Sequence, residues 1–266
     1  MQTFGLIGNP VGHSLSPVMH QAAYSHLHMD ANYITLEPDI SDLKKIITGA
    51  PQNGISGLNV TIPFKQDVLS YVKPNKLAKR IGAINTIDFS EKTPIGYNTD
   101  VAGSRRSFEH YGVNLSGKNS VVIGAGGAGR AMAFMLSDEG SNVSIVNRTE
   151  SKSRSLSASV PNSASYGLSD LAELIQDADI LVNTTSVGMG ADISLVPATS
   201  LHSDLVVMDA VYRPLETRLI RDAKASGALT IDGVWMLLYQ GAESFEIWTG
   251  KDAPVEIMNE AVRSQL

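Results

Sequence analysis

A glycine-rich stretch, GAGGAG, occupies residues 124–129, between a short apolar run, SVVI, and a helix-like run, RAMAFMLSDEG. Within it, Gly124, Gly126 and Gly129 have the spacing GxGxxG. After a strand and before a helix, the first glycine permits a tight turn, the second lets the backbone approach a pyrophosphate, and the third allows close packing of helix on strand. The unpaired amides of the helix N-terminus then face the anion. Because both flanks have the required pattern, this stretch predicts a dinucleotide-binding unit rather than only a tight turn.

Short apolar runs alternate with longer amphipathic runs along most of the chain, which is typical of strands joined by crossover helices. Strands are predicted at 3–7, 33–36, 57–60, 83–88, 120–123, 143–147, 180–183, 205–209 and 229–231. After Gly233 the alternation stops and two helices are predicted. The expected fold class is α/β with two domains, one of the Rossmann type at 101–233 and one with a mainly parallel sheet at 1–100 plus 234–266.

The end of the second strand of the Rossmann-type unit bears on the choice of cofactor. A carboxylate at this place would bind the ribose hydroxyls of NAD, but the strand NVSIV is followed by Asn147, Arg148 and Thr149. An arginine and a hydroxyl suit a 2′-phosphate, and Lys152 adds a second cation one helical turn later. The alternative is a helix N-cap at Thr149 with solvated basic neighbours. The pattern favours NADP.

Composition excludes several classes of function. The absence of cysteine rules out disulfides, thiolate metal sites and a cysteine nucleophile. The 21 basic and 27 acidic residues give a net charge of −6 without a run of like charge, which argues against a nucleic-acid or membrane-surface partner. The histidines form no convincing ligand cluster, so no metal is expected. Without a targeting pattern or a long apolar span, the sequence predicts a cytoplasmic protein.

Polar residues collect at or just after the ends of the predicted strands of the first domain. The segments GNPVGHSLSPVMH, LNVTIPFK, GAINT and GYNTD supply Ser14, Ser16, Asn59, Thr61, Lys65, Asn85, Thr86 and Asp100. Ligands of open α/β sheets bind at the carboxyl ends of the strands. Taken alone, each residue is more often part of a turn or cap, and Ser16 before Pro17 has the pattern of a helix N-cap. Their number in one domain favours a shared site for a small polar acid.

These segments together resemble the shikimate dehydrogenase family. The resemblance covers both predicted domains, through IGNPVGHSLSPVMH, NVTIPFK, GAINT, YNTD, GAGGAG, NRT, NTTSVGM and DGVWMLLYQGAESFEIWTG. It implies an NADP-linked oxidoreductase that reduces 3-dehydroshikimate to shikimate on the route to aromatic amino acids. It also implies a catalytic domain built from both chain ends around a central NADP domain. The partner would be the small-molecule substrate, and the protein would be a monomer or a homodimer.

The resemblance implies roles for individual residues in binding the substrate. Ser14 and Ser16 would bind the substrate carboxylate, with Thr61 nearby. The ring hydroxyls would be contacted by Asn59, Lys65, Asn85, Asp100 and Gln240, and Tyr212 would border the substrate. Lys65 and Asp100 would form the catalytic pair. The chemistry agrees independently of the family, because hydride reduction of a ketone leaves a developing alkoxide that needs a nearby proton donor or cation.

The resemblance also implies contacts with the cofactor. The pyrophosphate would lie on Gly126, Gly127 and Ala128, the central part near Thr184, Thr185 and Ser186, and the nicotinamide against Met208, Val211 and Gly233. For Met208 and Val211 the alternative is ordinary core at a strand end. Two residues depart from the family pattern. Trp235 stands where a small residue is frequent, and Lys152 where an arginine is common, which would weaken a bidentate contact.

Other functions stay open at this point. A quinate/shikimate dehydrogenase with broader substrate and cofactor use would be expected to carry an acidic residue in place of Arg148. A catalytically inactive dinucleotide-binding sensor would bind the cofactor without turnover. A different two-domain dehydrogenase would share only the fold, and it would not explain SLSP together with NVTIPFK.

Overall fold

The computed structural model describes all 266 residues, which divide into two compact units. One unit comprises Met1–Gly103 and Leu238–Gln265, and the other comprises Ser104–Leu237 with Leu266. The sequence placed the boundaries after residues 100 and 233, slightly earlier than the structure does. Both boundaries lie inside continuous helices. The sequence therefore has no stretch of loop-like composition that would indicate them.

The first unit contains a six-stranded sheet of mixed direction. Its strands are β1 (Gln2–Ile7), β2 (Ala31–Leu36), β3 (Ile55–Val60), β4 (Lys73–Pro74), β5 (Thr86–Asp88) and β6 (Ile95–Tyr97), in the order β2-β1-β3-β5-β6-β4. β1 pairs in parallel with β2 and β3, whereas β5 runs antiparallel to β3 and β6. The strands at β4 and β6 were not predicted, because two or three residues are too few to show a periodic pattern.

Helices from both ends of the chain complete this unit. They are α1 (Ser16–His26), α2 (Leu43–Gly49), α3 (Lys76–Ile81), the start of α4 (Asp100–His110), most of α9 (Gly233–Thr249) and α10 (Val255–Arg263), whereas α5–α8 belong to the second unit. Trp248 on α9 stacks on Phe4 of β1 at 5.0 Å and donates its indole N–H to the carbonyl of Ile87 in β5 at 3.0 Å. These contacts hold Gln240 and Ser244, which precede Trp248 on the same helix, against this sheet.

The second unit contains a six-stranded sheet in which every pair is parallel. Its strands are β7 (Asn119–Ile123), β8 (Asn142–Val146), β9 (Ser163–Tyr166), β10 (Ile180–Asn183), β11 (Val206–Asp209) and β12 (Leu229–Ile231), and its helices include α5 (Gly127–Asp138), α6 (Glu150–Ser157), α7 (Leu171–Gln176) and α8 (Arg218–Ala225). The order β9-β8-β7-β10-β11-β12 is that of a doubly wound nucleotide-binding sheet, whose ligands bind where the order reverses, between β7 and β10.

In neither unit is any helix of a length and hydropathy that would let it cross a bilayer.

The glycines between β7 and α5 fit the packing that their spacing predicts. Gly124 has φ +114°, a left-handed value that favours glycine. A Cβ added to Gly129 would lie 2.2 Å from the carbonyl oxygen of Gly124, whereas one added to Gly126 would meet nothing within 4 Å. The helix therefore lies directly against the loop at Gly129, while the surface at Gly126 is open.

Gly129→Ala is expected to lower the free energy of unfolding by about 1–3 kcal/mol, because the new methyl group forces two backbone segments apart. Gly126→Ala is the matched control. Its φ of −80° suits any residue and its methyl group enters open space, so a change within about 0.5 kcal/mol is expected. Denaturant unfolding of both variants checks this, and equal losses would contradict the packing argument.

Candidate active site

A largely buried ion pair joins two segments of the first unit. Lys65, in the turn that follows β3, places Nζ 2.5 Å from Oδ2 of Asp100, the first residue of α4. The two side chains are only 14% and 4% exposed. Because water is largely excluded, solvent and salt screen this pair far less than a surface pair. The structure thus brings together the two residues that the sequence proposed as a catalytic pair.

Asn85 fixes the orientation of the Asp100 carboxylate. Its Oδ1 accepts the backbone N–H of Thr99 at 2.7 Å, and its Nδ2 donates to the second carboxylate oxygen of Asp100 at 2.9 Å. A backbone N–H can only donate and a carboxylate can only accept, so the amide of Asn85 has a single orientation that satisfies both. Gln240 on α9 lies at the same place, with Oε1 3.3 Å from Asn85 Nδ2. Lys65, Asp100, Asn85 and Gln240 therefore form one cluster.

The side chain of Asn59, at the end of β3, is engaged on both sides by the protein itself. Its Oδ1 accepts the hydroxyl of Tyr33 at 2.7 Å, and its Nδ2 donates to Ser244 Oγ at 2.9 Å and Thr86 Oγ1 at 3.1 Å. Asn59 is buried, with 4% of its surface exposed. A contact from Asn59 to a ring hydroxyl remains a prediction, and the geometry gives this residue a clear part in orienting its neighbours.

Three residues of this network, Tyr33, Thr99 and Ser244, were not predicted from the sequence. The hydroxyls of Thr86, Thr99 and Ser244 lie within 3.2 Å of one another, and Thr99 Oγ1 accepts from Asn85 Nδ2 at 2.9 Å. For two of them, Ser244 and Thr99, the sequence position indicates a place near the site. Ser244 follows Gln240 by one helical turn on the same face, and Thr99 directly precedes Asp100.

His20 of α1 packs beside this network without adding charge to it. Its ring stacks on Tyr33 with centroids 4.5 Å apart and planes 5° apart. Complete burial lowers the pKa of His20 to about 3. The imidazole is therefore neutral near pH 7, and no cation lies behind the hydroxyl that Tyr33 donates to Asn59.

The serine-rich loop before α1 differs from the sequence expectation in one respect. The prediction of Ser16 as helix N-cap was wrong, because α1 begins at Ser16 and its N-cap is Leu15 in a right-handed helical conformation. The hydroxyl of Ser14 instead accepts the backbone N–H of Ser16 at 3.2 Å and donates to its Oγ at 3.2 Å. Two hydroxyls are thereby held side by side. Half-buried Thr61 lies next to this loop, since a Cβ at Gly8 would be 2.3 Å from its methyl group.

In the second unit, the loops after β7 and β10 lie side by side because these strands are hydrogen-bonded neighbours. Thr184 donates its hydroxyl to the carbonyl of Ile123 at 2.7 Å, and Thr185 donates to Oδ1 of Asn183 at 2.7 Å, while Ser186 is exposed. The N-cap of α5 is Gly126, which has no side chain to cap the amides that follow. The amides at Gly127 and Ala128 therefore lie at an uncapped helix N-terminus, which suits a phosphate.

The end of β8 carries the cationic residues predicted for the 2′-phosphate. Arg148, Thr149 and Lys152 are exposed, and Asn147 donates its Nδ2 to the carbonyl of Thr149 at 2.9 Å. Thr149 does occupy the N-cap position of α6, but its side chain makes no capping hydrogen bond. Capping therefore does not account for its hydroxyl, and the donor set fits a phosphate monoester.

The residues predicted along the nicotinamide lie around the end of β11. Met208 and Val211 are buried, with 0% and 2% of their surface exposed, and Tyr212 is partly buried. A Cβ at Gly233 would lie 2.7 Å from the carbonyl oxygens of Ala210 and Val211. Glycine is therefore required there for α9 to begin against this turn.

The side chain of Trp235 has a defined place in the second unit. Its indole N–H donates to the hydroxyl of Tyr111 at 3.1 Å, and its ring centroid lies 3.8 Å from that of His110. His110 is the last residue of α4, and Tyr111 directly follows it. The larger side chain at this position is therefore packed against residues of the second unit.

A buried carboxyl group in the second unit was not predicted from the sequence. Asp209, at the end of β11, accepts from Asn183 Nδ2 at 2.9 Å, from the backbone N–H of Val211 at 3.0 Å and from Thr217 Oγ1 at 2.6 Å. Burial raises the pKa of Asp209 to about 6, although these three hydrogen bonds act in the opposite direction. Asp209 ties the loop that carries Tyr212 to the strand ends.

This raised pKa predicts a loss of stability as pH increases. The folded state binds the Asp209 proton more tightly than the unfolded chain, so the free energy of unfolding should fall between about pH 4 and pH 6 and then level off. The loss is up to about 3 kcal/mol. Asp209→Asn should lack this component, whereas Asp177→Asn at an exposed position should keep it. Unfolding measured across this range checks the difference, and parallel pH profiles for Asp209→Asn and wild type would contradict it.

Comparison with known proteins agrees with this geometry. Residues 6–87 match the family described as shikimate dehydrogenase substrate binding domain, residues 105–190 match shikimate / quinate 5-dehydrogenase, and residues 233–263 match the shikimate 5′-dehydrogenase C-terminal domain. The chain is 60% identical over 266 residues to the shikimate dehydrogenase (NADP(+)) of Natronomonas pharaonis, with 100% of both chains covered. The chain belongs to the shikimate dehydrogenase family.

Solved structures of shikimate dehydrogenases share its fold. One in complex with NADP+ has a TM-score of 0.93 and 40% identity, covering 100% of this chain and 96% of that one. Another, from Thermus thermophilus in complex with NADP(H) and shikimate, has a TM-score of 0.91 and 35% identity, with 100% of both chains covered. The predicted membership of the shikimate dehydrogenase family and the two-domain α/β fold are therefore confirmed.

Proposed function

We propose that this member of the family is an NADP-dependent shikimate dehydrogenase, which reversibly reduces 3-dehydroshikimate to shikimate in aromatic amino acid biosynthesis. The observation that carries the proposal is the largely buried pair of Lys65 and Asp100, in which Asn85 orients the carboxylate within a cluster of amides and hydroxyls. Such a cluster suits a small ring with several hydroxyls, one of which is oxidised. Relatives that match the whole chain carry the same name.

The residues of the first unit divide between the two ends of such a substrate. The adjacent hydroxyls of Ser14 and Ser16 bind the carboxylate, with Thr61 beside them. Lys65, Asp100, Asn85 and Gln240 bind the ring hydroxyls. Asn59 holds the hydroxyls behind them, and Tyr212 borders the substrate. The two groups of donors select for an acid that carries hydroxyls at a distance from its carboxylate.

The chemical step needs a proton to move as the ring oxygen gains or loses charge. Bound nicotinamide supplies the hydride in reduction and accepts it in oxidation. Lys65 donates a proton from Nζ to the ring oxygen as negative charge develops there. Asp100 holds Nζ in place, and Asn85 holds the carboxylate of Asp100. In the oxidation direction, the same Lys65–Asp100 pair receives the hydroxyl proton.

The second unit fits NADP through its own residues. The uncapped amides at the start of α5 receive the pyrophosphate, beside Gly124, Gly126 and Gly129. Arg148, Thr149, Lys152 and Asn147 receive the adenosine 2′-phosphate end. Thr184, Thr185 and Ser186 border the central part, and Met208, Val211 and Gly233 form an apolar wall for the nicotinamide that excludes water.

Substrate and cofactor choice test this function directly. We expect kcat/KM for shikimate with NADP to exceed that of quinate with NADP, and of either acid with NAD, by at least about tenfold. Comparable turnover of quinate with NAD would instead favour the broader quinate/shikimate dehydrogenase. Cofactor binding without turnover of either acid would favour a catalytically inactive sensor.

Three further assignments belong to the proposal. Substrate binding is assigned to residues 1–100 plus 234–266 and cofactor binding to 101–233. A cytoplasmic location is inferred from a chain without cysteine. A monomeric or homodimeric state is expected, and light scattering of the purified protein distinguishes the two from each other and from larger assemblies.

A further inference from the structure

Glu37 makes an unusual contact with the loop that carries Ser14 and Ser16. This exposed residue directly follows β2, and its Oε1 accepts the backbone N–H of Val11 at 2.6 Å and that of Gly12 at 2.7 Å. Two successive backbone amides that converge on one point form a concavity that binds anions. Here the carboxylate of the chain itself fills the concavity, and bonds of this charged kind are roughly twice as strong as neutral ones.

The two amides belong to a turn that ends at the first candidate ligand. The carbonyl of Val11 accepts the N–H of Ser14 at 2.9 Å, which closes the turn. The hydroxyl of Ser14 then accepts the N–H of Ser16 and donates to its Oγ. A contact that fixes Val11 and Gly12 therefore fixes where the two hydroxyls point.

The part of the loop before this turn is held by other groups. Asn9 donates its backbone N–H to the carbonyl of Ile62 at 2.9 Å and its Nδ2 to the carbonyl of Pro38 at 3.1 Å. These bonds tie residue 9 to the neighbouring segments independently of Glu37. Loss of the Glu37 carboxylate would therefore release the turn from Val11 to Ser14 while leaving the start of the loop attached.

We propose that Glu37 is a positioning residue for recognition of the substrate carboxylate. It acts through the backbone at Val11 and Gly12 and does not itself contact the substrate. Because it occupies both of these amides, the loop presents the hydroxyls of Ser14 and Ser16, rather than an amide pair, to the substrate. The inference rests on the proposed function, in which these two serines bind the carboxylate.

The test compares Glu37→Ala with Glu37→Gln and with Asp39→Ala, an exposed carboxylate two positions away whose side chain makes no capping bond. Glu37→Ala should raise KM for shikimate by about tenfold, with kcat and KM for NADP unchanged, as expected for lost ground-state binding. Glu37→Gln keeps an acceptor oxygen and should stay within about threefold of wild type. Asp39→Ala removes the same charge and should behave as wild type.

Ser14→Ala and Ser16→Ala, measured in the same assay, separate this inference from the proposed function. If both serine variants raise KM for shikimate and Glu37→Ala does not, the role of Glu37 is wrong and the carboxylate site stands. If neither serine variant changes KM, the carboxylate site itself is wrong, and the role of Glu37 fails with it. A Glu37→Ala protein that fails to fold, or that also loses NADP affinity and thermal stability, would show a general structural role and overturn the inference.

Discussion

Replacing Lys65 by methionine is expected to lower kcat for shikimate oxidation by about 10²–10⁴-fold, the usual contribution of a positioned acid–base group. Methionine keeps the length and the apolar stem of lysine, so the change removes Nζ and its contact with Asp100 with little change in volume. KM for NADP should be unaffected, because Lys65 lies in the first unit. Steady-state kinetics with both ligands varied measures each parameter.

Lys79→Met is the matched control for this variant. Lys79 is an exposed residue of α3 in the same unit, and its replacement should leave kcat unchanged. Lys65→Met also leaves the buried carboxylate of Asp100 without its cation, at a cost on the order of 3 kcal/mol of stability. The double variant Lys65→Met with Asp100→Asn should recover much of that stability without recovering activity. A Lys65→Met enzyme with near wild-type kcat would remove Lys65 from the chemistry.

Replacing Arg148 by aspartate is expected to lower kcat/KM for NADP by about 100-fold or more. The change removes charge-assisted hydrogen bonds to the 2′-phosphate and places a negative charge against it. Affinity for NAD should be kept or improved, because a carboxylate at the end of the second strand can accept from the ribose hydroxyls. The measurement is kcat/KM for each cofactor at saturating shikimate.

Arg154→Asp provides the comparison for Arg148→Asp. Arg154 is exposed on α6, the helix that begins two residues after Arg148, and its replacement makes the same change in net charge. Only a small change in kcat/KM with either cofactor is expected for Arg154→Asp. Similar losses with NADP in both variants would mean that overall charge, rather than a direct contact by Arg148, governs the preference.

Much of the fold was predictable because burial leaves a periodic trace. The strands β7, β10 and β11 each contain a largely buried apolar run, as expected for a parallel sheet covered on both faces. β9 reads SASY and is partly exposed, so neither hydrophobicity nor alternation indicates it. β9 forms because it pairs with β8. Pairing between segments that are distant in the chain leaves no local pattern in the sequence.

The site was predictable where a motif fixes local geometry, and less so where the fold joins distant segments. Lys65 and Asp100 were proposed from their motifs, and the structure shows the distance between them. The hydrogen bond from Asn59 to Ser244 joins residues 185 positions apart, and Glu37, directly after β2, accepts the backbone N–H of Val11. Such partners are ordinary polar residues in the sequence, and their role follows only from the pairing of β1 with β2 and β3 and from the return of α9.

The most direct test is a crystal structure of the protein with NADP and shikimate bound. One ring hydroxyl is expected within about 2.6–3.2 Å of both Lys65 Nζ and the Asp100 carboxylate, with the substrate carboxylate on the hydroxyls of Ser14 and Ser16. Shikimate bound in the reverse orientation, with its carboxylate against Lys65, or bound away from the Lys65–Asp100 pair altogether, would contradict it.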